Sequence, residues 1–307
     1  ATEYWNKEDG MRFGIMSMQK QALIPPGLSA EETLAAVATL DHAALARRLF
    51  SRGFDPIEIG GDMALFLPHT MAPPAIQRFA ELKEETGLTY TVHLPLWSTE
   101  PSTPYAPIRE GAVRVLVDTI RATLPLAPER YVLHATGALA AEFSSMGLPQ
   151  GARQFILRLF QANARESIQS ILAETGIPSR QLAIETIEFP LELTLELADE
   201  IDLSLCLDIG HILAGFSGPA DQFDVLEQVL PRLAEVHLHD APWQGPERIL
   251  HYGQDHRPLG TGDLDVGRLL DRLTEAGFTG PLIFELTEEE ALASLEVIRA
   301  LRPQYLA

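Results

Sequence analysis

Cysteine is almost missing from this sequence: Cys206 is the only one in 307 residues. A disulfide framework within the chain is therefore excluded. Basic residues are scarce too. Lys and Arg number 23 against 43 Asp and Glu, a formal net charge of −20. Nucleic-acid binding rests on neutralising phosphates with Lys and Arg, so a duplex-binding face is disfavoured, as is attachment to anionic membranes. No apolar run approaches the ~20 residues of a bilayer span, and the charged opening ATEYWNKEDGMRFG lacks a signal-peptide core. A soluble, cytoplasmic protein is the expectation. No glycine-rich phosphate loop follows the first apolar run, which argues against a doubly wound nucleotide-binding sheet. Linkers, low-complexity segments and short repeats are absent, so one domain over residues 1–307 is expected.

What is present is regular. Eight short apolar runs, RFGIMSM (12–18), PIEIGG (56–61), LTYTVHL (88–94), RYVLHAT (130–136), QLAIETI (181–187), LSLCLDI (203–209), LAEVHLH (233–239) and PLIFELT (281–287), read as strands covered on both faces. Amphipathic stretches at 31–53, 75–87, 108–124, 151–176, 223–234, 266–277 and 289–301 read as helices, several closed by a C-capping glycine such as Gly87 or Gly176. Strands and helices alternating over this length predict a (β/α)8 TIM barrel. Two connections are long, 95–107 and 240–263, and both would overhang the C-terminal face, where barrel active sites lie.

Ionisable residues interrupt the apolar runs at one end. His93, His134, Glu185, Asp208, His237 and Glu285 close strands 3 to 8, with His211 three residues beyond Asp208 and His256 in the seventh loop. Singly, each would be read as a cap or a structural polar group. Together, imidazoles and carboxylates gathered in one bowl are the donor set of divalent metals, and without a cation such a cluster of carboxylates is costly. Glu58, Trp97, Trp243, Arg248, Tyr252 and Arg257 are the candidate substrate contacts. His239 follows His237 on its strand and is expected on the other side of the pleat. Cys206, inside an apolar strand, is expected to be a buried hydrophobe.

The segments IETIE, LDIGH, VHLHD, HRPLGTGDLD and IFELT resemble the xylose-isomerase-like TIM barrel superfamily, over essentially the whole chain. That resemblance implies a one-ion core of Glu185, Asp208, His237 and Glu285, with the two glutamates catalytic. In the isomerase or epimerase style, they shuttle protons beside one Mn or Mg. In the endonuclease-IV style, His93, His134 and the bridging Glu185 hold a second ion, and Asp208, His211 and His256 a third. Gln254 stands where that style has an aspartate, and Asp255 or Asp240 is the candidate substitute. The extra histidines favour a phosphodiester hydrolase with two or three zinc ions over a sugar isomerase, and over an abasic-site nuclease given the acidic chain. VHLPLW, EPSTP and LHATGALAAEF are similar to a branch that remodels cobamides, which implies the nucleotide loop of a corrinoid as the small-molecule substrate.

Overall fold

The computed structural model describes residues 11–19, 27–187, 189–244 and 254–306. Eight parallel strands close into a barrel in sequence order. They are β1 (Arg12–Met16), β2 (Ile57–Gly60), β3 (Tyr90–His93), β4 (Tyr131–Leu133), β5 (Leu182–Glu185), β6 (Ser204–Asp208), β7 (Leu233–His237) and β8 (Pro281–Phe284). The helices are α1 (Ala30–Ala38), α2 (His42–Ser51), α3 (Met63–Phe66), α4 (Pro73–Thr86), α5 (Ala106–Thr123) and α6 (Ala138–Ser145). They continue as α7 (Gln150–Thr175), α8 (Leu191–Ile201), α9 (Ile209–Ala214), α10 (Gln222–Val229), α11 (Val266–Glu275) and α12 (Glu288–Leu301). No helix among the described residues is long and apolar enough to cross a membrane.

Alternation along the strands sorts the side chains. Tyr90, Val92, Ile184, Leu205, Leu207, Val236 and Phe284 join one continuous core with the apolar faces of the helices. The intervening residues point into the barrel. There Val132, Ala183 and Cys206 form a small cluster of their own. Burial pushes the Cys206 thiol well above its ordinary pKa, which fits an inert interior residue.

The strands are shorter than the apolar runs predict: β4 and β8 end just before His134 and Glu285, and β3, β5, β6 and β7 end on His93, Glu185, Asp208 and His237. The stretch 31–53 is two helices, since Asp41 caps α2 by accepting from the backbone N–H of Ala43 and Ala44. Gly87 and Gly176 close α4 and α7 with φ of 72° and 70°, in the left-handed region they are suited to.

His42 is fully buried at the start of α2 and donates from Nε2 to Ser17 Oγ at 2.8 Å, while Ser17 donates to the Glu58 carbonyl. Burial lowers its pKa to about 4. A depressed histidine stabilises the fold above its unfolded pKa and loses that contribution as pH falls from about 6.5 towards 4. A shift of this size corresponds to roughly 3 kcal/mol. His42→Gln, which keeps a donor for Ser17, should therefore flatten the stability profile between pH 7 and 4 by about that amount. Urea midpoints of both proteins across that range check it; parallel profiles would contradict it.

Candidate metal centre

The C-terminal ends of six strands deliver one ligand-type side chain each. His93, Glu185, Asp208 and His237 are the last residues of β3, β5, β6 and β7; His134 and Glu285 directly follow β4 and β8. Because all six lie at strand ends and on the inward alternation, the closed barrel brings them together. His211 comes from α9, and Asp255 and His256 from the seventh loop.

Glu185 is the hub. His93 Nε2 and His134 Nε2 stand 3.1 and 2.9 Å from the same oxygen, Oε2. His93 Nδ1 lies 3.0 Å from the Leu94 carbonyl and so donates there. A neutral His93 ring would then aim its Nε2 lone pair at a carboxylate oxygen, which is repulsive. A cation, proton or metal, must stand between them. In the metal-free protein it is a proton: burial opposes the charge, but the hydrogen bond to Glu185 and its charge outweigh burial and raise His93 to about 9.

A second convergence surrounds His237 Nδ1. Glu285 Oε1 is 3.4 Å away, Glu185 Oε2 3.6 Å and Asp208 Oδ2 4.0 Å. His237 is fully buried and its Nδ1 has no hydrogen-bond partner. Ligands 2.0–2.1 Å from a tetrahedral ion lie roughly 3.3–3.4 Å apart. The spacing around Nδ1 is therefore that of donors around an ion rather than of hydrogen bonds, and the donor set fits a divalent metal.

The third convergence lies beside α9. His211 Nδ1 is 3.1 Å from Asp208 Oδ2, and its Nε2 3.3 Å from Asp255 Oδ2. His256 Nδ1 is 2.8 Å from the same Asp255 oxygen, and its Nε2 3.2 Å from Glu285 Oε2. Burial works against charge on His256, but Asp255 and Glu285 together raise it to about 10. His256 sits at φ 54°, in the left-handed region. Strain of that kind concentrates at functional sites. Its backbone N–H donates to His239 Nδ1 at 2.9 Å, which leaves the proton of a neutral His239 on Nε2, 3.0–3.1 Å from Asp208.

His239 thus faces the cluster, contrary to the expectation that it points away. Side chains two apart on a strand share a face, so His237 and His239 belong to the same side. Burial keeps His239 below its ordinary pKa, so it holds Asp208 as a neutral donor. Asp208, His211, His239 and His256 together form a group with metal-holding geometry.

Gln254, Asp240 and Asp255 have separate roles. Gln254 turns its side-chain oxygen to Gln244 Nε2 at 3.1 Å. Asp240 is committed to the backbone: Oδ1 accepts from the N–H of Ala241 and Leu264, Oδ2 from those of Gly260 and Gly262, all at 2.9–3.0 Å. This carboxylate explains the PLGTGD segment, which wraps around it; a Cβ at Gly262 would overlap Asp240. Asp240→Asn places an amide donor against N–H donors and loses two of the four bonds. At about 1–3 kcal/mol per buried unsatisfied group, the expected cost is roughly 3 kcal/mol or more. Urea denaturation checks it, with faster amide exchange at 260 and 262; an unchanged midpoint would contradict it. Only Asp255, next to His256, is aimed between the histidines.

A cavity of about 520 Å³ opens above these groups. His93, His134, Glu185, His211, Asp255, His256 and Glu285 form its floor, and Met16, Met18, Leu96, Trp97, Ile187 and Phe216 much of its wall. No Lys or Arg lines it among the described residues.

Of the expected substrate contacts, Trp97 lines this cavity, edge-on to Phe66 at 6.1 Å. Trp243 is exposed and outside the wall. Arg257 is also outside the wall; its backbone pairs with Asp240. Glu58 is a correction: it is fully buried beneath the floor, against Thr91 and His237, because β2 ends two residues beyond it and its side chain points into the barrel. Arg248 and Tyr252 lie outside the described residues. Glu235, which no motif in the sequence marks, is buried inside the barrel near Glu58 and His237. Burial and the neighbouring Glu58 hold its carboxyl well above the usual range. Its position two residues before His237 was the available signal.

A family description, xylose isomerase-like TIM barrel, matches residues 46–302. The chain belongs to this family. Family members bind divalent metals, and the groups above supply donors for them. Among curated sequences, this xylose isomerase-like barrel is 23% identical over 242 residues to an uncharacterised protein of Methanocaldococcus jannaschii, covering 75% of this chain and 76% of that one. Among solved structures, a D-tagatose 3-epimerase-like protein superposes with a TM-score of 0.71 at 20% identity, covering 96% of this chain and 98% of the other. Endonuclease IV from Thermus thermophilus gives 0.63 at 21% identity, covering 95% and 99%. At these identities the likeness is one of fold, which epimerases and endonucleases share.

Proposed function

We propose that this xylose isomerase-like barrel is a metal-dependent phosphodiester hydrolase holding two or three divalent ions, zinc before Mn or Mg. The observation that carries this reading is the approach of His93 Nε2 and His134 Nε2 to one oxygen of Glu185. A single-ion isomerase needs neither histidine. Glu185, Asp208, His237 and Glu285 would hold one ion; His93, His134 and Glu185 a second. His211, Asp255 and His256 would hold a third beside Asp208, Asp255 taking the place left by Gln254.

Bound ions would supply an acidified water and neutralise charge developing on phosphorus. The protein's own part is orientation: the Leu94 carbonyl fixes His93, and His239 fixes Asp208. Glu285, reached by both His237 and His256, joins the first and third groups of donors.

The finer reading is a cobamide substrate, cleaved at its nucleotide loop. VHLPLW contributes Leu96 and Trp97 to the wall, and LHATGALAAEF contributes Ala138 and Ala141. Glu100 of EPSTP ties the two together by accepting from the N–H of Gly137 and Leu139. The apolar side chains of the described wall, Met16, Met18, Leu96, Trp97, Ile187 and Phe216, suit a large, partly apolar ester better than a polyhydroxylated sugar, whose hydroxyls need polar partners.

The second reading is a sugar epimerase, favoured by Glu185 and Glu285 flanking His237 Nδ1 and by the epimerase fold neighbour. One experiment separates them. Metal-loaded protein is incubated with several cobamides, with a panel of other phosphodiesters, and with ketoses in deuterated water. Corrinoid products lacking the lower ligand support the full proposal. Cleavage of other diesters alone removes the cobamide reading. Deuterium at sugar carbon without diester cleavage overturns the hydrolase.

A further inference from the structure

His237 uses its two nitrogens in opposite directions. Nδ1 faces Glu285, Glu185 and Asp208, the proposed ligands. Nε2 points down into the barrel, where Glu58 Oε1 lies 3.4 Å away and Glu235 Oε1 4.0 Å. His237 Nε2 and Glu58 Oε1 are both buried, and neither has a hydrogen-bond partner among the described residues, although Glu235 lies beside both and Cys206 beside His237. A neutral imidazole has one lone pair and one N–H. If the lone pair is at Nδ1, the proton is at Nε2 and needs an acceptor. Glu58 is the nearer of the two carboxylates, and its other oxygen is already held by Thr91, which donates from Oγ1 to Oε2 at 3.1 Å.

We propose that Glu58 is a positioning residue: it accepts from His237 Nε2–H and so presents Nδ1 to the ion held with Glu185, Asp208 and Glu285. The inference rests on the metal reading above. It gives a reason for a carboxylate buried out of reach of the cavity. It also gives β2 a part in the centre, with Thr91 of β3 as the anchor that stops Glu58 from turning away. Carboxylates that orient a ligating histidine in this way typically contribute about 10- to 100-fold in metal affinity.

The test uses the full-length protein, Glu58→Gln and Glu58→Met. Zinc affinity is measured by chelator competition, the cobalt(II)-loaded protein by its absorption bands, and the His237 ring by nitrogen NMR of the zinc-loaded form. The wild type should show His237 protonated at Nε2. Glu58→Met, similar in size but without an acceptor, should weaken one ion by about 10- to 100-fold and shift the cobalt bands. Glu58→Gln, which keeps an acceptor oxygen, should recover most of that loss. A wild-type ring protonated at Nδ1, or a Glu58→Met protein with unchanged affinity and bands, overturns the inference while leaving the metal reading intact. The wild-type ring decides the matter even if Glu58→Met does not fold. A wild type that binds no divalent ion removes both.

Discussion

Glu185→Ala should release more than one ion per chain and reduce turnover on the order of 10³-fold or more. The reason is its shared position. One oxygen serves His93 and His134 together, and lies 3.6 Å from His237 Nδ1, while the other faces His211. No other carboxylate contacts both His93 and His134 among the described pairs, so truncation removes one set outright and weakens the next. Neighbouring His134 and His237 hold the Glu185 carboxyl well below the ordinary range despite burial, so it is an anion at any working pH. Glu185→Gln preserves the shape but not the charge and should lose ions to a similar extent. Elemental analysis and turnover of the same preparations check both. A Glu185→Ala protein with a full complement of ions would contradict the bridging role.

Metal affinity should rise steeply with pH. His93, near 9, and His256, near 10, are protonated in the metal-free protein at neutrality. An ion must displace those protons, so apparent affinity should increase about tenfold per pH unit for each proton released, levelling off above the respective pKa. Stability moves the other way. A histidine raised by folding stabilises the metal-free protein below its unfolded pKa of about 6.5 and loses that contribution as pH climbs through 9 to 10. Metal-free protein should therefore become less stable between pH 7 and 10, and metal-loaded protein should resist the change. Chelator competition and urea midpoints across this range test the pair of trends. A pH-independent affinity would mean that these histidines are not ligands.

The eight strands and their ionisable ends were legible because a barrel strand buried on both faces is nearly all apolar, and polar residues stand out where it emerges. Helix α8 was not legible: LELTLELADE alternates Leu and Glu and carries little helical period at its start. The break before α2 was hidden because apolar residues continue on either side of Asp41. His239 was misplaced by treating residues two apart as opposite. Glu58 was misread for a different reason. Type and loop position suggest a contact, but whether a side chain rises above the floor or sinks below it depends on strand register, fixed only when the barrel closes. The roles of Asp240 and Asp255 were open for the same reason. Alike in type and set in the same loop, they separate only when the backbone of 260–264 folds around one of them.

The central claim is that the histidines around Glu185 build more than one metal site. Its most direct test is the number of ions per chain, by elemental analysis of protein purified without chelators and reloaded in parallel with Zn, Mn or Mg. Two or three ions per chain, falling by more than one in Glu185→Ala, is the expected result. A single ion under saturating metal would mean that His93, His134 and His256 are not ligands, and would favour the single-ion chemistry of an epimerase.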